Sequence, residues 1–337
     1  MTIAKQETSC MKAIAIIFVL IPHIISNYFP ETISGSTYYL SVMGIDAVFV
    51  FLFLSGYGLT ISFEKSGIRD FWNKRVRGVF FPYWIVTILY FFLFVKAIGP
   101  EKLLLNLACV DYVRSIDGTM WYMSFYLLWM IAFYALFKMN VPTWFRIVVL
   151  FLIGWWFLEF NGDLFANCGW QFKRNAYSFP AGVLFGFLSV KVLRGKQLKQ
   201  WWIKAILMAA AAAGFFLLFR QEADNGIRYM HMGLLAILFL HMAFGLLKIR
   251  RIVFVLDKIG KSSYILYLLE AKLLNIVSIL FPKFTPIGKF SVFAGMCILT
   301  TVLTALIPVF MKKLKERWPD WLQAAKALAG KMRKNAV

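Results

Sequence analysis

MKAIAIIFVLIPHIISNYF, residues 11–29, reads as an apolar helix carrying Lys12 at its start and His23 eleven positions later. At the helical rise the two stand about 16 Å apart. The run has the length of a membrane span. An imidazole that deep in lipid is costly, which makes His23 a functional candidate by default. Pro22 beside it removes a backbone hydrogen bond and predicts a kink that opens a cavity at the ring. A structural polar contact between spans is the competing account of His23. The apolar stretch is too long for a signal peptide and no small-residue cleavage site follows, so the helix is expected to be retained.

Outward from this helix the same pattern recurs. The chain has 337 residues, 61% hydrophobic and 18% aromatic, with 16% charged. That much apolar side chain cannot be hidden in a soluble fold of this length. Apolar runs predict an all-α, polytopic membrane protein of about ten transmembrane helices, near 12–29, 39–62, 78–98, 119–138, 144–160, 176–193, 202–219, 229–247, 262–281 and 289–311. The connection 99–118 is the longest outer loop, and its 102–110 part fits a short interfacial helix. Two regions follow: a membrane domain over 1–311 and a basic tail over 312–337.

The net charge of +21 suggests nucleic acid at first sight, but its distribution argues otherwise. With both termini cytoplasmic, 27 of the 37 Lys and Arg residues fall on inner segments, nine on outer ones, and Lys272 lies within a span. This is the positive-inside pattern of a membrane protein. No nucleic-acid partner is expected. Cys10, Cys109, Cys168 and Cys297 have no metal-ligand spacing and the three histidines are far apart, so no metal site is expected. Cys109 and Cys168 both fall in outer loops, where a disulfide is topologically allowed.

The polar residues within spans are His23, Asp46, Glu159, His231, His241, Glu270 and Lys272. Glu159 and His231 lie near outer ends, where water solvates them. His241 is deeper, and a structural and a functional role stay open. Glu270 is deep enough that it must be paired, protonated or in a wet cavity. Lys272, two positions on, points to another helix face and is a poor partner within the helix. Asp46 precedes Ser55-Gly56-Tyr57-Gly58, a small-residue turn that fits either close helix packing or a site. Lys74, Arg75 and Arg77 precede Pro82 on the inner side, as topology or a phosphate clamp would require. Trp121, Tyr122 and Tyr126 open the fourth span, where an aromatic belt and a sugar-binding face are both possible.

Together these stretches resemble the membrane acyltransferase 3 family over nearly the whole chain. The family's first span carries Arg or Lys, ten residues, then His, matched by Lys12 and His23. Gly44, Asp46, Phe49, Ser55, Gly56 and Tyr57 echo its G-x-D-x-F-F-x-x-S-G-F segment with slightly different spacing. Lys74-Arg75-Val76-Arg77 ahead of Pro82 resembles its Arg-x-x-Arg loop, with Lys for the first Arg. Met120-Trp121-Tyr122-Met123-Ser124 resembles L-W-F-L-S, and Ile259 to Glu270 resembles I-G-x-x-S-Y-x-I-Y-L-x-H. There the chain departs, with Glu270 where many members have histidine.

The resemblance implies an O-acyltransferase of the plasma membrane, most often an O-acetyltransferase. The donor is acyl-CoA from the cytoplasm, with no tightly bound cofactor. The acceptor is a hydroxyl of a cell-surface polysaccharide or lipid-linked glycan. Lys12, Lys74, Arg75 and Arg77 would hold the donor phosphates. His23 would act as general base, oriented or charge-stabilised by Asp46 or Glu270. Trp121, Tyr122, Ser124 and Tyr126 would shape the acceptor side. Direct transfer and transfer through an acyl-His23 intermediate both fit. The alternatives are a transporter or flippase for a lipid-linked sugar, disfavoured because no internal repeat is visible, and a non-catalytic membrane scaffold or sensor.

Overall fold

A lipid-facing backbone must satisfy its own N–H and C=O groups, which leaves helix as the form for apolar runs such as these. The computed structural model describes residues 3–32, 36–95, 98–159, 165, 168–192, 201–219, 226–247 and 249–307, which are helices and the segments that connect them, with no strand. The side chain of Asp46 and the tail 312–337 lie outside the described residues.

The helices are α1 (Lys5–Tyr28), α2 (Ser36–Ser66), α3 (Phe71–Val95), α4 (Pro100–Leu107), α5 (Trp121–Lys138) and α6 (Thr143–Glu159). They continue with α7 (Gly169–Arg174), α8 (Ser178–Phe187), α9 (Trp201–Phe219), α10 (Gly226–Leu247), α11 (Arg250–Leu280) and α12 (Pro286–Ile307). A helix occupies each of the ten expected ranges. Among the described residues five stretches are long and apolar enough to cross a membrane: Lys5–Tyr28, Ala47–Ser66, Phe71–Val95, Arg250–Leu280 and Pro286–Ile307. On α12, Ile298, Leu299, Val302 and Leu306 are all exposed, as a face turned to lipid would be.

The turn expected at Ser55 to Gly58 does not occur, and a proline leaves its helix unbroken. Pro82 does not start a helix: α3 already begins at Phe71 and runs through it, with a wide π-helical turn at Val76–Phe80 just before the proline. Such a turn accommodates a residue that cannot donate to the preceding turn. The Lys74-to-Arg77 segment is therefore helical, not a loop. Ser55-Gly56-Tyr57-Gly58 likewise lies within α2, which ends later, where Gly67 takes φ +64° and donates to the Phe63 carbonyl at 2.7 Å. The interfacial helix expected near 102–110 appears as α4.

α1 lies between α2 and α11, and α8 packs along α2. Close approach comes from missing side chains. A Cβ at Gly56 would strike the Phe179 carbonyl and reach Val183 N at 3.0 Å, and one at Gly182 would strike the Phe53 backbone. At Gly260 it would run into the Ser9 backbone of α1. Gly56→Ala is expected to destabilise the detergent-solubilised protein by about 1–3 kcal/mol through overpacking. Gly58→Ala, whose Cβ meets nothing within 4 Å, should leave the thermal midpoint in place or raise it. Equal midpoints for the two variants would show that this contact is not what seats α8 on α2.

Pro22 stays inside α1. The carbonyl it deprives of a donor, Phe18 O, lies against Gly44 of α2, where a Cβ would sit 2.8 Å from that oxygen and 2.6 Å from Pro22 Cγ. α2 is thus pressed onto α1 one residue from His23. The aromatic core centres on α5, where Trp129, Phe125 and Phe133 are fully buried. Phe125 stacks on Phe172 of α7 at 4.5 Å and Trp129 on Phe179 of α8 at 5.3 Å.

Candidate functional site

Two cavities sit end to end along α1. The one at the Lys12 end, called inner after the orientation expected from charge, is about 260 Å³ and is lined by Lys12, Arg75, Ser55, Tyr126 and Tyr264 among others. The outer one, about 230 Å³, is lined by His23, Glu270, Arg114, Trp121, Trp170 and Asn175 among others. Val19, Val48, Tyr122 and Tyr267 line both and form the waist between them. Lys12, Val19 and His23 come at spacings of seven and four, which keeps them near one helix face. One helix thereby connects the two chambers.

In the inner cavity Lys12 and Arg75 are close enough to repel each other, and neither is in an ion pair among the described residues. Arg75 Nε is buried with no hydrogen-bond partner. Two cations with no facing carboxylate make a pocket suited to an anion. Lys74 and Arg77 do not line it and are exposed. They lie roughly 100° and 200° round the helix from Arg75 and, three positions apart, share a face that Arg75 does not.

In the outer cavity His23 Nδ1 stands 3.2 Å from Glu270 Oε2. The ring is 36% exposed while the carboxylate is 0% exposed. The contact is an ion-pairing approach without a well-aligned ring hydrogen bond, since neither Glu270 oxygen has a hydrogen-bond partner. A carboxylate at Nδ1 selects that nitrogen for the proton and leaves Nε2 as the basic one. Glu270 thus lies beside an imidazole at a cavity wall.

The outer loop reaches into the bundle to complete this chamber. Asp117 Oδ2 accepts from Lys272 Nζ at 2.5 Å, with both side chains almost fully buried. Its other oxygen accepts from the Thr119 N–H and hydroxyl at 2.8 and 2.7 Å. Burial alone would raise the Asp117 pKa, but the Lys272 ammonium and the Thr119 donors outweigh it and hold the carboxyl below its ordinary value. Tyr267 donates to the Thr119 carbonyl at 2.6 Å, fixing the waist to the same loop. Upstream, the Asp111 carboxylate accepts from the Ser115 N–H and hydroxyl, and Arg114 is held at φ +62°. A non-glycine residue in the left-handed region costs about 1–2 kcal/mol, and here it brings Arg114 to the cavity wall.

Of the acceptor-side residues expected from sequence, Trp121 lines the outer cavity and Tyr122 the waist. Tyr126 lies one turn deeper, in the inner cavity with Arg75. Ser124 lines neither and is buried on another face of α5. Glu159 and His231 are exposed. His241 Nδ1 meets Glu7 Oε2 at 3.2 Å, and Glu7 also caps α1 by accepting the Ala4 N–H at 2.9 Å. That pair lines neither cavity, which gives His241 a structural partner. Cys168 donates to the Tyr112 carbonyl at 3.2 Å, and no disulfide joins it to Cys109. Among the described residues no His, Cys, Asp or Glu cluster could hold a metal ion.

Sequence reasoning passed over Asp117, Arg114, Tyr267, Trp170 and Asn175. An aspartate at the end of an outer loop has no local mark of burial. Only an unbalanced Lys272 within a span hinted that a carboxylate would come to it.

The match to a family model makes the chain a membrane acyltransferase, in keeping with its long apolar helices. The chain belongs to the membrane acyltransferase 3 family, the model of whose acyltransferase domain matches residues 8–319. No curated protein and no solved structure matches it.

Proposed function

We propose that this protein transfers an acyl group, most simply acetyl, from acyl-CoA on the cytoplasmic side to a hydroxyl of a cell-surface polysaccharide or lipid-linked glycan. The observation that carries the proposal is the pair of chambers on α1, with an uncompensated cationic pocket below and the His23–Glu270 pair above. Both termini are cytoplasmic, about ten helices span the plasma membrane, and the inner cavity opens to the donor. Lys12 and Arg75 hold CoA phosphates, and the pantetheine arm passes the Tyr122–Tyr267 waist. In direct transfer, His23 Nε2 takes the proton of the acceptor hydroxyl as its oxygen attacks the thioester carbon. The C–S bond then breaks and the thiolate leaves as CoA. Glu270 holds the imidazole and stabilises its charged form.

Incorporation of label from acetyl-CoA into glycan by isolated membranes tests the proposal. A flippase would move the glycan without incorporating label, and a scaffold would do neither. Within that assay, Lys12→Ala and Arg75→Ala are each expected to raise the KM for acetyl-CoA by roughly tenfold, the worth of a charge-assisted contact of about 1.5 kcal/mol. Lys74→Ala and Arg77→Ala, outside the cavity, should change it by less than about threefold, as surface charges do. Equal effects from all four would remove the anion-pocket assignment.

A further inference from the structure

We infer that the outward face of α3 is a binding site for an anionic diacyl phospholipid, with Lys74 and Arg77 on its phosphate and the apolar stripe beyond them along an acyl chain. The three neighbouring cations of this helix are divided between two surfaces. Arg75 lines the inner cavity, whereas Lys74 and Arg77 do not and are exposed. From these two the exposed positions continue at spacings of three and four, through Phe81, Ile85, Leu89 and Phe92. Such spacing draws one stripe along a helix. Phe80, Tyr83, Thr87 and Tyr90 fall between them and are buried, so they hold the other side of α3 against the protein.

Charge and length select the occupant. Neither Lys74 nor Arg77 is in an ion pair among the described residues. An ammonium and a guanidinium three positions apart on a helix suit a phosphate diester. α3 rises about 22 Å from Arg77 to Phe92, and one leaflet's hydrocarbon is about 15 Å deep. An acyl chain whose headgroup sits at Arg77 therefore runs beside Phe81, Ile85 and Leu89. A water-soluble phosphate would meet the two cations and leave the stripe unused. A zwitterionic lipid would bring a cation of its own to them, which an anionic headgroup does not. Arg250 and Arg251, exposed at the start of α11, give the comparison: the exposed positions after them include two further cations, Lys258 and Lys261, so no purely apolar stripe follows.

The test uses the full chain in detergent and native mass spectrometry, with dioleoyl phosphatidylglycerol, dioleoyl phosphatidylcholine and the chain-free headgroup glycerophosphoglycerol. Phosphatidylglycerol is expected to bind about tenfold more tightly than phosphatidylcholine, and excess glycerophosphoglycerol should not displace it. Lys74→Ala/Arg77→Ala should weaken phosphatidylglycerol binding by about tenfold and leave phosphatidylcholine where it was. Phe81→Ala/Leu89→Ala should weaken both lipids, and Arg250→Ala/Arg251→Ala should leave the preference intact. Equal binding of the two lipids would overturn the site. So would equal losses from the α3 and α11 charge variants, which would make the attraction a diffuse one. Displacement by glycerophosphoglycerol would make Lys74 and Arg77 a soluble-phosphate site and overturn the lipid assignment. Should the double charge variant fail to accumulate, Lys74→Gln and Arg77→Gln decide singly, each expected to weaken phosphatidylglycerol binding by about threefold. Each of these readouts is independent of acyl transfer.

Discussion

Replacing His23 with alanine is expected to lower acyl transfer by about 10²–10⁴-fold, the usual worth of a positioned general base, while the protein still inserts and accumulates. The reason is positional. Among the described residues lining the outer cavity His23 is the only imidazole, and Glu270 lies 3.2 Å from its Nδ1. Alanine would leave a fully buried carboxylate facing empty space, and that carboxylate would become protonated rather than stay charged. Glu270→Gln should lower kcat with the KM for acetyl-CoA unchanged, because it removes the charge that sets the tautomer and not a donor contact. Labelled transfer in membranes, normalised to protein abundance, measures both. Wild-type transfer by His23→Ala would remove the imidazole from the mechanism.

The second large effect is expected at Asp117. Asp117→Ala strips the buried Lys272 ammonium of its 2.5 Å carboxylate. Breaking one side of a buried pair costs about 3–5 kcal/mol, because the remaining charge is uncompensated. Thermal denaturation in detergent should show the loss. The double variant Asp117→Ala/Lys272→Met should recover much of it, since neither charge then needs a partner. Transfer should fall further than stability, because Arg114, Gly118 and Thr119 of the same loop line the outer cavity.

The pair also sets a pH dependence. The Asp117 pKa is depressed on folding, so its contribution is full above the ordinary aspartate value of about 3.9 and is lost as pH falls below it. Additive single variants, with the double losing the sum of the two, would mean that Asp117 and Lys272 are not coupled.

Several features could be read before any coordinates. Helix positions followed from apolar runs, because lipid permits few other backbone forms. Lys12 and His23 were legible as a pair because their spacing lies within one helix. Gly56 was legible only as a small residue; that it seats α8 rather than forming a turn depended on which helix came to lie against it. For Arg75, the basic cluster was visible, but which of its three members faces inward depended on the rotation of α3.

By itself, then, the chain's order of residues determined an all-helical membrane protein and a cation and an imidazole held on one rigid rod. Both follow from local spacing and from the cost of polar groups in hydrocarbon. The tertiary structure alone decided that Glu270 meets His23, that Lys272 meets an outer-loop aspartate 155 positions away, and that α7 walls the outer chamber. Such meetings depend on how helices rotate and pack against one another, and no periodicity within a single segment carries that information.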